Sequence, residues 1–156
     1  MRKIAIIFIT IILFVIGGCS NQKIIKHDYI YKGENEFWTA EYKVNGIGIF
    51  TEKDNKTSYE CNSSEIFTVT YKRDVSELAS VKHLEISYTD SAGSEKLTED
   101  FDDNDPLSHQ TFTLKSGGSG AIESKDEIIE VNINIDGNTQ TFELKNENYY
   151  NTEKGN

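Results

Sequence analysis

The sequence is poor in proline, cysteine and basic side chains. Its 156 residues include one Pro, two Cys and 16 Lys or Arg against 26 Asp or Glu, so the formal net charge is −10. The single proline and the 11 glycines exclude collagen-like and proline-rich architectures. The acidic balance argues against a nucleic-acid partner, because phosphate binding needs a basic face. The length suits one domain with or without a targeting segment, and it excludes a multi-domain enzyme.

Long hydrophobic runs are also missing, except for one at the N-terminus. Arg2 and Lys3 precede the 13 residues 4–16, which are all apolar apart from Thr10. The run is shorter than the roughly 20 residues of a transmembrane helix, and it matches the hydrophobic region of a secretory signal peptide. The alternatives are an uncleaved N-terminal anchor and a plain signal peptide with an incidental cysteine behind it.

The next residues, Ile-Gly-Gly-Cys at 16–19 followed by Ser20, resemble the bacterial lipobox. The resemblance implies cleavage between Gly18 and Cys19 and a covalent diacylglycerol, with further acyl lipid such as palmitate, on Cys19. Each buried acyl CH₂ adds about 0.8 kcal/mol of membrane affinity, so two chains anchor a protein stably. We therefore expect residues 1–18 to be a lipoprotein signal peptide, and the mature protein to be anchored at the extracytoplasmic face of the cell membrane.

Removal of the signal peptide makes the chain more acidic. Residues 19–156 carry 14 basic and 26 acidic side chains, a net charge of −12. Because anionic lipid headgroups repel such a surface, we expect the folded part to stand away from the bilayer. The polar segment 19–27, which includes the lipidated cysteine, predicts a flexible tether with a reach of roughly 25 Å.

Alternation of apolar and polar residues with a period of two dominates the rest of the chain. It runs through residues 37–44, 67–72, 84–89, 111–115, 130–135 and 141–145. Short pieces near Cys61 and Leu97 bring the number of strands to seven to nine. This spacing predicts an all-β domain over residues 28–148, an antiparallel immunoglobulin-like β-sandwich, followed by a polar tail at 149–156.

Three local patterns predict the connections. Asn45-Gly46 is a strong hairpin signal, and Asp136-Gly137-Asn138 predicts a second turn. The segment 74–78, Asp-Val-Ser-Glu-Leu, is typical of a capped helical turn. Cys61 has no disulfide partner if Cys19 carries lipid, and its place in an alternating segment favours a small buried hydrophobe.

The densest acidic cluster occupies residues 99–106. Ca²⁺ binds six to eight oxygen ligands, and four side chains here carry suitable oxygens, namely Asp100, Asp102, Asn104 and Asp105. The cluster lacks the glycine and the final glutamate of an EF-hand loop. We favour the alternative of a solvated acidic turn, in which Asp and Asn cap the backbone, and predict no metal site.

Other chemical motifs are incomplete. The loop Ser-Gly-Gly-Ser-Gly at 116–120 lacks the Lys-Ser/Thr of a P-loop and predicts a flexible loop. His27, His83 and His109 are not at metal-ligand spacing, and no Gly-x-Ser-x-Gly is present. The 26 acids leave a carboxylate pair for hydrolysis open, although no pair stands out, so no catalytic residue is predicted.

Two aromatic residues near the start of the domain have different expected roles. Trp38 is the predicted core aromatic between the layers of the sandwich. Phe37 alternates onto the opposite face, where an exposed ring can contact a partner.

Residues 31–38, Tyr-Lys-Gly-Glu-Asn-Glu-Phe-Trp, and 40–46, Ala-Glu-Tyr-Lys-Val-Asn-Gly, are similar to the opening of small uncharacterised lipoproteins of Gram-positive Firmicutes. The resemblance implies a lipid anchor and an immunoglobulin-like β domain, and it implies no activity.

These observations predict a non-enzymatic, lipid-anchored surface protein without a cofactor, which binds a protein, a peptide or an envelope component. The alternatives are a small envelope hydrolase that uses carboxylates and a Ca²⁺-dependent adhesive module. Two carboxylates with perturbed pKa values in a cleft would favour an enzyme. A smooth sandwich with an exposed aromatic or apolar patch would favour a binding protein.

Overall fold

A computed structural model describes residues 21–53 and 55–146. The predicted signal peptide at residues 1–18, Cys19 and the predicted polar tail at 149–156 lie outside these residues. The described part contains one 3₁₀ helix, Val75–Leu78, and eight strands. The strands are β1 (Asn21–Glu34), β2 (Trp38–Lys53), β3 (Lys56–Tyr71), β4 (His83–Thr89), β5 (Ser94–Asp100), β6 (Thr111–Gly118), β7 (Ile128–Ile135) and β8 (Asn138–Asn146). No helix among the described residues has the length and apolar character that crossing a membrane requires.

All eight strands pair antiparallel in one sheet, in the order β5-β4-β7-β8-β1-β2-β3-β6. The ladder between β8 and β1 has only two residue pairs, and the sheet folds over here so that its two halves share a core. Tyr88 of β4 packs on Tyr42 of β2 and Phe67 of β3, with ring centroids 4.8 and 4.7 Å apart. The predicted all-β, antiparallel fold with seven to nine strands is confirmed, with both layers belonging to one hydrogen-bonded sheet.

The core lies between the two layers and is rich in aromatic rings. Trp38 is fully buried, and its ring centroid lies 4.9 Å from that of Tyr71 and 6.2 Å from that of Phe112. Cys61 is a buried free thiol at the border of this core. Burial of such side chains stabilises the fold by roughly 25 cal/mol per Å² of apolar surface. Both residues therefore have the buried positions that their alternation predicts.

The predicted hairpin at Asn45-Gly46 is wrong. β2 runs through both residues, and it pairs with β1 on one side and with β3 on the other. The chain turns instead at Asn55, whose φ of 57° is left-handed. Gly46 serves close packing, because a Cβ there would collide with Cδ1 of Ile122. Because β2 pairs with a strand on each side, it continues through Asn45 and Gly46 without a turn. A two-residue turn motif in the sequence carries no information about such long-range pairing.

The polar segment that predicts a tether is the first half of β1. Residues 21–27 pair with residues 46–52 of β2. Most side chains of residues 21–27 are exposed, because this part of the ladder extends beyond the core, and the half-buried His27 contacts Tyr29. The first described strand therefore begins at Asn21, two residues after Cys19 in the sequence.

The other two predicted connections are confirmed. Asp136 and Gly137 have φ values of 50° and 88° and join β7 to β8. The 3₁₀ helix begins after Asp74, whose carboxylate accepts a 2.9 Å hydrogen bond from the Ser76 N–H. An N-cap of this kind satisfies a backbone donor that has no partner within the helix.

Candidate functional site

A pocket of about 280 Å³ opens beside the middle of β3, between the two layers of the sheet. Its walls are the β4–β5 turn and the chain that leaves β6, and the Tyr42 and Tyr88 side chains also line it. The lining contains four acidic side chains and no basic one. The acids are Glu65, Asp90, Glu95 and Glu123. We name this the Glu123 pocket.

Glu123 is the buried acid of the pocket, with only 2% of its surface exposed. Its Oε1 accepts a 2.7 Å hydrogen bond from the Tyr42 hydroxyl. Its Oε2 is buried and has no hydrogen-bond partner among the described residues. Burial raises the pKa of Glu123 above its ordinary value of 4.5, and the nearby charges of Asp90 and Glu65 raise it further. The hydrogen bond from Tyr42 opposes this rise but does not cancel it.

Asp90 follows β4 and is the second acid with a perturbed pKa. Its Oδ1 accepts hydrogen bonds from the N–H groups of Ala92 and Gly93, at 2.8 and 2.7 Å, which closes the β4–β5 turn. Burial nevertheless raises the pKa of Asp90, and the charge of Glu127 adds to the rise. Two carboxyl groups that both resist ionisation therefore belong to one pocket.

A hydroxyl network supports the opposite side of the pocket. Ser116 Oγ donates a 2.9 Å hydrogen bond to Glu65 Oε2 and lies 3.2 Å from the Tyr88 hydroxyl. Ser63 Oγ donates to Glu65 Oε1 at 2.6 Å. Both oxygens of Glu65 therefore accept hydrogen bonds, whereas at Glu123 only Oε1 does.

Backbone geometry fixes the chain that carries Glu123. Gly117 has a φ of 146°, and a Cβ there would lie 2.5 Å from the Ser63 carbonyl oxygen, so only glycine fits. Further along, the Tyr31 hydroxyl donates to the Ser124 carbonyl at 2.7 Å. The segment predicted as a flexible glycine loop is thus a wall of the pocket, with β6 extending to Gly118.

The acidic cluster at residues 99–106 is built as a turn. Asp102 accepts hydrogen bonds from the N–H groups of Asn104 and Asp105, at 2.7 and 2.9 Å, and these bonds lower the pKa of Asp102. Asp100 contacts His83 Nδ1 at 2.6 Å. Within residues 21–53 and 55–146, no three His, Cys, Asp or Glu side chains converge as ligands for a metal ion.

Phe37 is half-buried at the edge of the core, and the Arg73 guanidinium lies 4.3 Å from its ring centroid. A cation over the ring is a favourable contact, and the Arg73 guanidinium occupies one face of the Phe37 ring. Of the other candidates, Cys19 lies outside the described residues. Cys61 lies beside Tyr59 on β3. The described polar contacts of the three histidines are with Asp100, Glu99 and Tyr29, and Cys61 is not among them.

Sequence reasoning did not find the Glu123 pocket. Its groups come from four separate stretches of chain, around Tyr42, Glu65, Tyr88 and Glu123. None of these stretches has a motif, because the pairing of distant strands brings them together. The sequence contains one weak signal, Glu123, an acidic residue that closely follows the glycine-rich segment 116–120.

Compared with protein-family models, curated proteins and solved structures, the chain has no significant match to any of the three.

Proposed function

We propose that this chain is a lipid-anchored binding protein at the extracytoplasmic face of the cell membrane. We further propose that the Glu123 pocket receives a protonated primary amine, carried by a protein, a peptide or an envelope component. The observation that carries the proposal is the unpaired Oε2 of a fully buried glutamate in an acidic pocket. A buried polar atom without a partner is costly in free energy, and a ligand that donates a hydrogen bond removes this cost.

An ammonium group suits the chemistry of the lining. It offers three donors, and its positive charge offsets the repulsion from Asp90 and Glu65 that raises the pKa of Glu123. The rings of Tyr42 and Tyr88 add a surface that attracts cations. A neutral hydroxyl would supply the hydrogen bond without relieving the repulsion, so the pocket should prefer the amine.

Calorimetric titration with Nα-acetyl-lysine amide tests this proposal, with the norleucine analogue as the neutral control ligand. We expect binding of the lysine compound only. Glu123→Gln should weaken it at least tenfold, since a hydrogen bond to a charged group contributes roughly 1.5–3 kcal/mol. The matched control variant is Glu130→Gln, on an exposed position of β7, and it should bind normally. Equal affinity for both ligands would contradict the proposal.

A carboxylate-dependent hydrolase is the second candidate function. The observation in its favour is the pair of raised pKa values at Asp90 and Glu123, since a raised pKa suits a carboxyl group to the role of general acid. Glycoside and peptide substrates with chromogenic leaving groups distinguish the candidates. Turnover that is lost in both Asp90→Asn and Glu123→Gln would favour the enzyme over the binding protein.

A further inference from the structure

One end of the sheet lies next to the proposed lipid anchor. Asn21 pairs with Glu52 of β2, and the last pair of the β2–β3 ladder joins Lys53 to Lys56. Cys19 precedes Asn21 by two residues, which span at most about 7 Å. The outer ends of β1, β2 and β3 are therefore the part of the described chain that a lipid on Cys19 would hold nearest the bilayer. We name residues 21–26, 49–53 and 55–60 the anchor end.

We propose that the anchor end docks on the surface of an anionic bilayer and holds the domain upright. This inference rests on the proposed lipidation of Cys19 and is independent of what the Glu123 pocket binds. It replaces the expectation of a tethered domain that stands away from the membrane, because the segment predicted as a tether is β1.

Apolar and aromatic side chains are exposed at the anchor end, on both faces of the sheet. Phe50 and Tyr59 pair across β2 and β3 with ring centroids 4.4 Å apart, and they are 36% and 44% exposed. On the other face, Ile24 is 61% exposed beside its partner Ile49. Tyrosine and apolar rings are favoured at membrane interfaces, where one part of the side chain is dry and the other wet.

The charge of the anchor end differs in sign from that of the rest of the protein. Its described residues hold four lysines and two glutamates. If Asp54, which follows Lys53 in the sequence, is counted as well, an excess of one positive charge remains. The lysines are Lys23, Lys26, Lys53 and Lys56. The remainder of residues 19–156, Asp54 not included, holds ten basic and 23 acidic side chains. An anionic surface therefore attracts this end and repels the rest, which sets the orientation.

The orientation has a consequence for the Glu123 pocket. Ser63 and Glu65 line the pocket seven and nine residues along β3 from Lys56. At about 3.3 Å per residue, docking of the anchor end would hold the pocket roughly 25 Å from the bilayer, open to the cell exterior.

The test uses the full chain, extracted from bacterial membranes with its lipid and reconstituted into vesicles of phosphatidylcholine with one third phosphatidylglycerol. A fluorophore is placed at Ser58→Cys in the anchor end, or at Asn138→Cys at the opposite end as control, both in a Cys61→Ala background. Nitroxide lipids then quench labels that lie near the bilayer. We expect more than half of the Ser58→Cys emission to be lost, and almost none of the Asn138→Cys emission.

Charge reversal tests the electrostatic part. Each lysine near an anionic surface strengthens association by roughly fivefold. Lys53→Glu with Lys56→Glu should therefore abolish most of the quenching, whereas Lys82→Glu with Lys115→Glu, at exposed positions elsewhere, should preserve it. Unchanged emission of the buried Trp38 shows that each variant is folded.

The outcomes separate the two proposals. A protein that sediments with vesicles while the Ser58→Cys label stays unquenched overturns the docking of the anchor end and leaves the lipid anchor standing. A protein without lipid on Cys19 overturns the anchor itself. Quenching that persists after the Lys53→Glu and Lys56→Glu reversal overturns the charge argument. Energy transfer between labels on different copies, in place of quenching by lipid, would identify a second copy of the chain as the occupant.

Discussion

At the scale of single residues, Glu123 carries a conflict between stability and binding. Its carboxyl group is buried, one oxygen has no hydrogen-bond partner, and its pKa is raised mainly by the loss of solvation. A raised pKa means that ionisation costs more in the folded than in the unfolded protein. The contribution of Glu123 to stability therefore falls as pH rises from its ordinary value of 4.5 through its folded-state value.

Glu123→Gln should consequently stabilise the protein at neutral pH. The amide oxygen can still accept the hydrogen bond from Tyr42, and no charge has to be buried. We expect a gain of about 1 kcal/mol, or a melting temperature about 3 °C higher at pH 7. The gain should shrink to nothing near pH 4, where the wild-type carboxyl is protonated. Thermal unfolding between pH 4 and 8 measures this, with Glu130→Gln as control, and a variant that melts below the wild type at pH 7 would contradict it.

Gly117 gives a second prediction, for the wall of the Glu123 pocket. Its φ of 146° and its closeness to the Ser63 carbonyl exclude a side chain. Gly117→Ala should therefore cost about 1–3 kcal/mol of unfolding free energy. Gly120→Ala is the matched control, because a Cβ there meets no atom within 4 Å. Urea unfolding compares the two variants, and equal stabilities would refute the constraint at Gly117.

At the scale of the elements, alternation of apolar and polar residues predicts the strands that bury one face in the core. It does not predict stretches of strand that depend on pairing with a distant part of the chain. β7 and β8 alternate cleanly and join at a turn whose residues specify it. The outer half of β1 has no apolar period, because it lies beyond the core and pairs with β2 without a buried face of its own. Asn45-Gly46 has the composition of a turn, yet its place between two strands overrides that local preference.

The location of the β2–β3 turn can be tested with one pair of substitutions. Asn55→Val should destabilise the protein by about 1–2 kcal/mol, because a β-branched side chain is strained at a positive φ. Asn45→Val should be neutral or slightly stabilising, since valine suits an exposed strand position. Chemical denaturation of both variants decides the point, and the reverse order of stabilities would move the turn back to Asn45-Gly46.

The Glu123 pocket shows the same limit at the level of a site. In each of β2, β3 and β4, the period of two places one of the pocket residues, Tyr42, Glu65 or Tyr88, on the same face as the buried residues of its strand. It does not predict that β4 folds over β2 and β3, which brings these side chains to Glu123. Sequence patterns identified the walls as strands and loops, and only the topology assembled them into a pocket.

At the scale of the whole molecule, the proposed lipid would sit at the one end of the sheet that carries a positive excess of charge. The anchor end has a small positive excess of charge and exposed aromatic rings, whereas the rest of the chain is acidic. The first residues of β1 belong to the anchor end. Cys19→Ser should abolish incorporation of labelled palmitate and move the protein out of the membrane fraction. Cys61→Ser, which removes the other cysteine, should change neither. Continued labelling of the Cys19→Ser variant would contradict the anchor.

The most direct test of the central claim follows the Glu123 carboxyl carbon by ¹³C NMR across a pH titration, with and without Nα-acetyl-lysine amide. Without the amine, we expect Glu123 to titrate above the ordinary value of 4.5. A bound ammonium stabilises the carboxylate, so the amine should lower the pKa of Glu123 while the norleucine analogue leaves it unchanged. A Glu123 signal that titrates identically in all three samples would contradict the assignment of this pocket as an amine site.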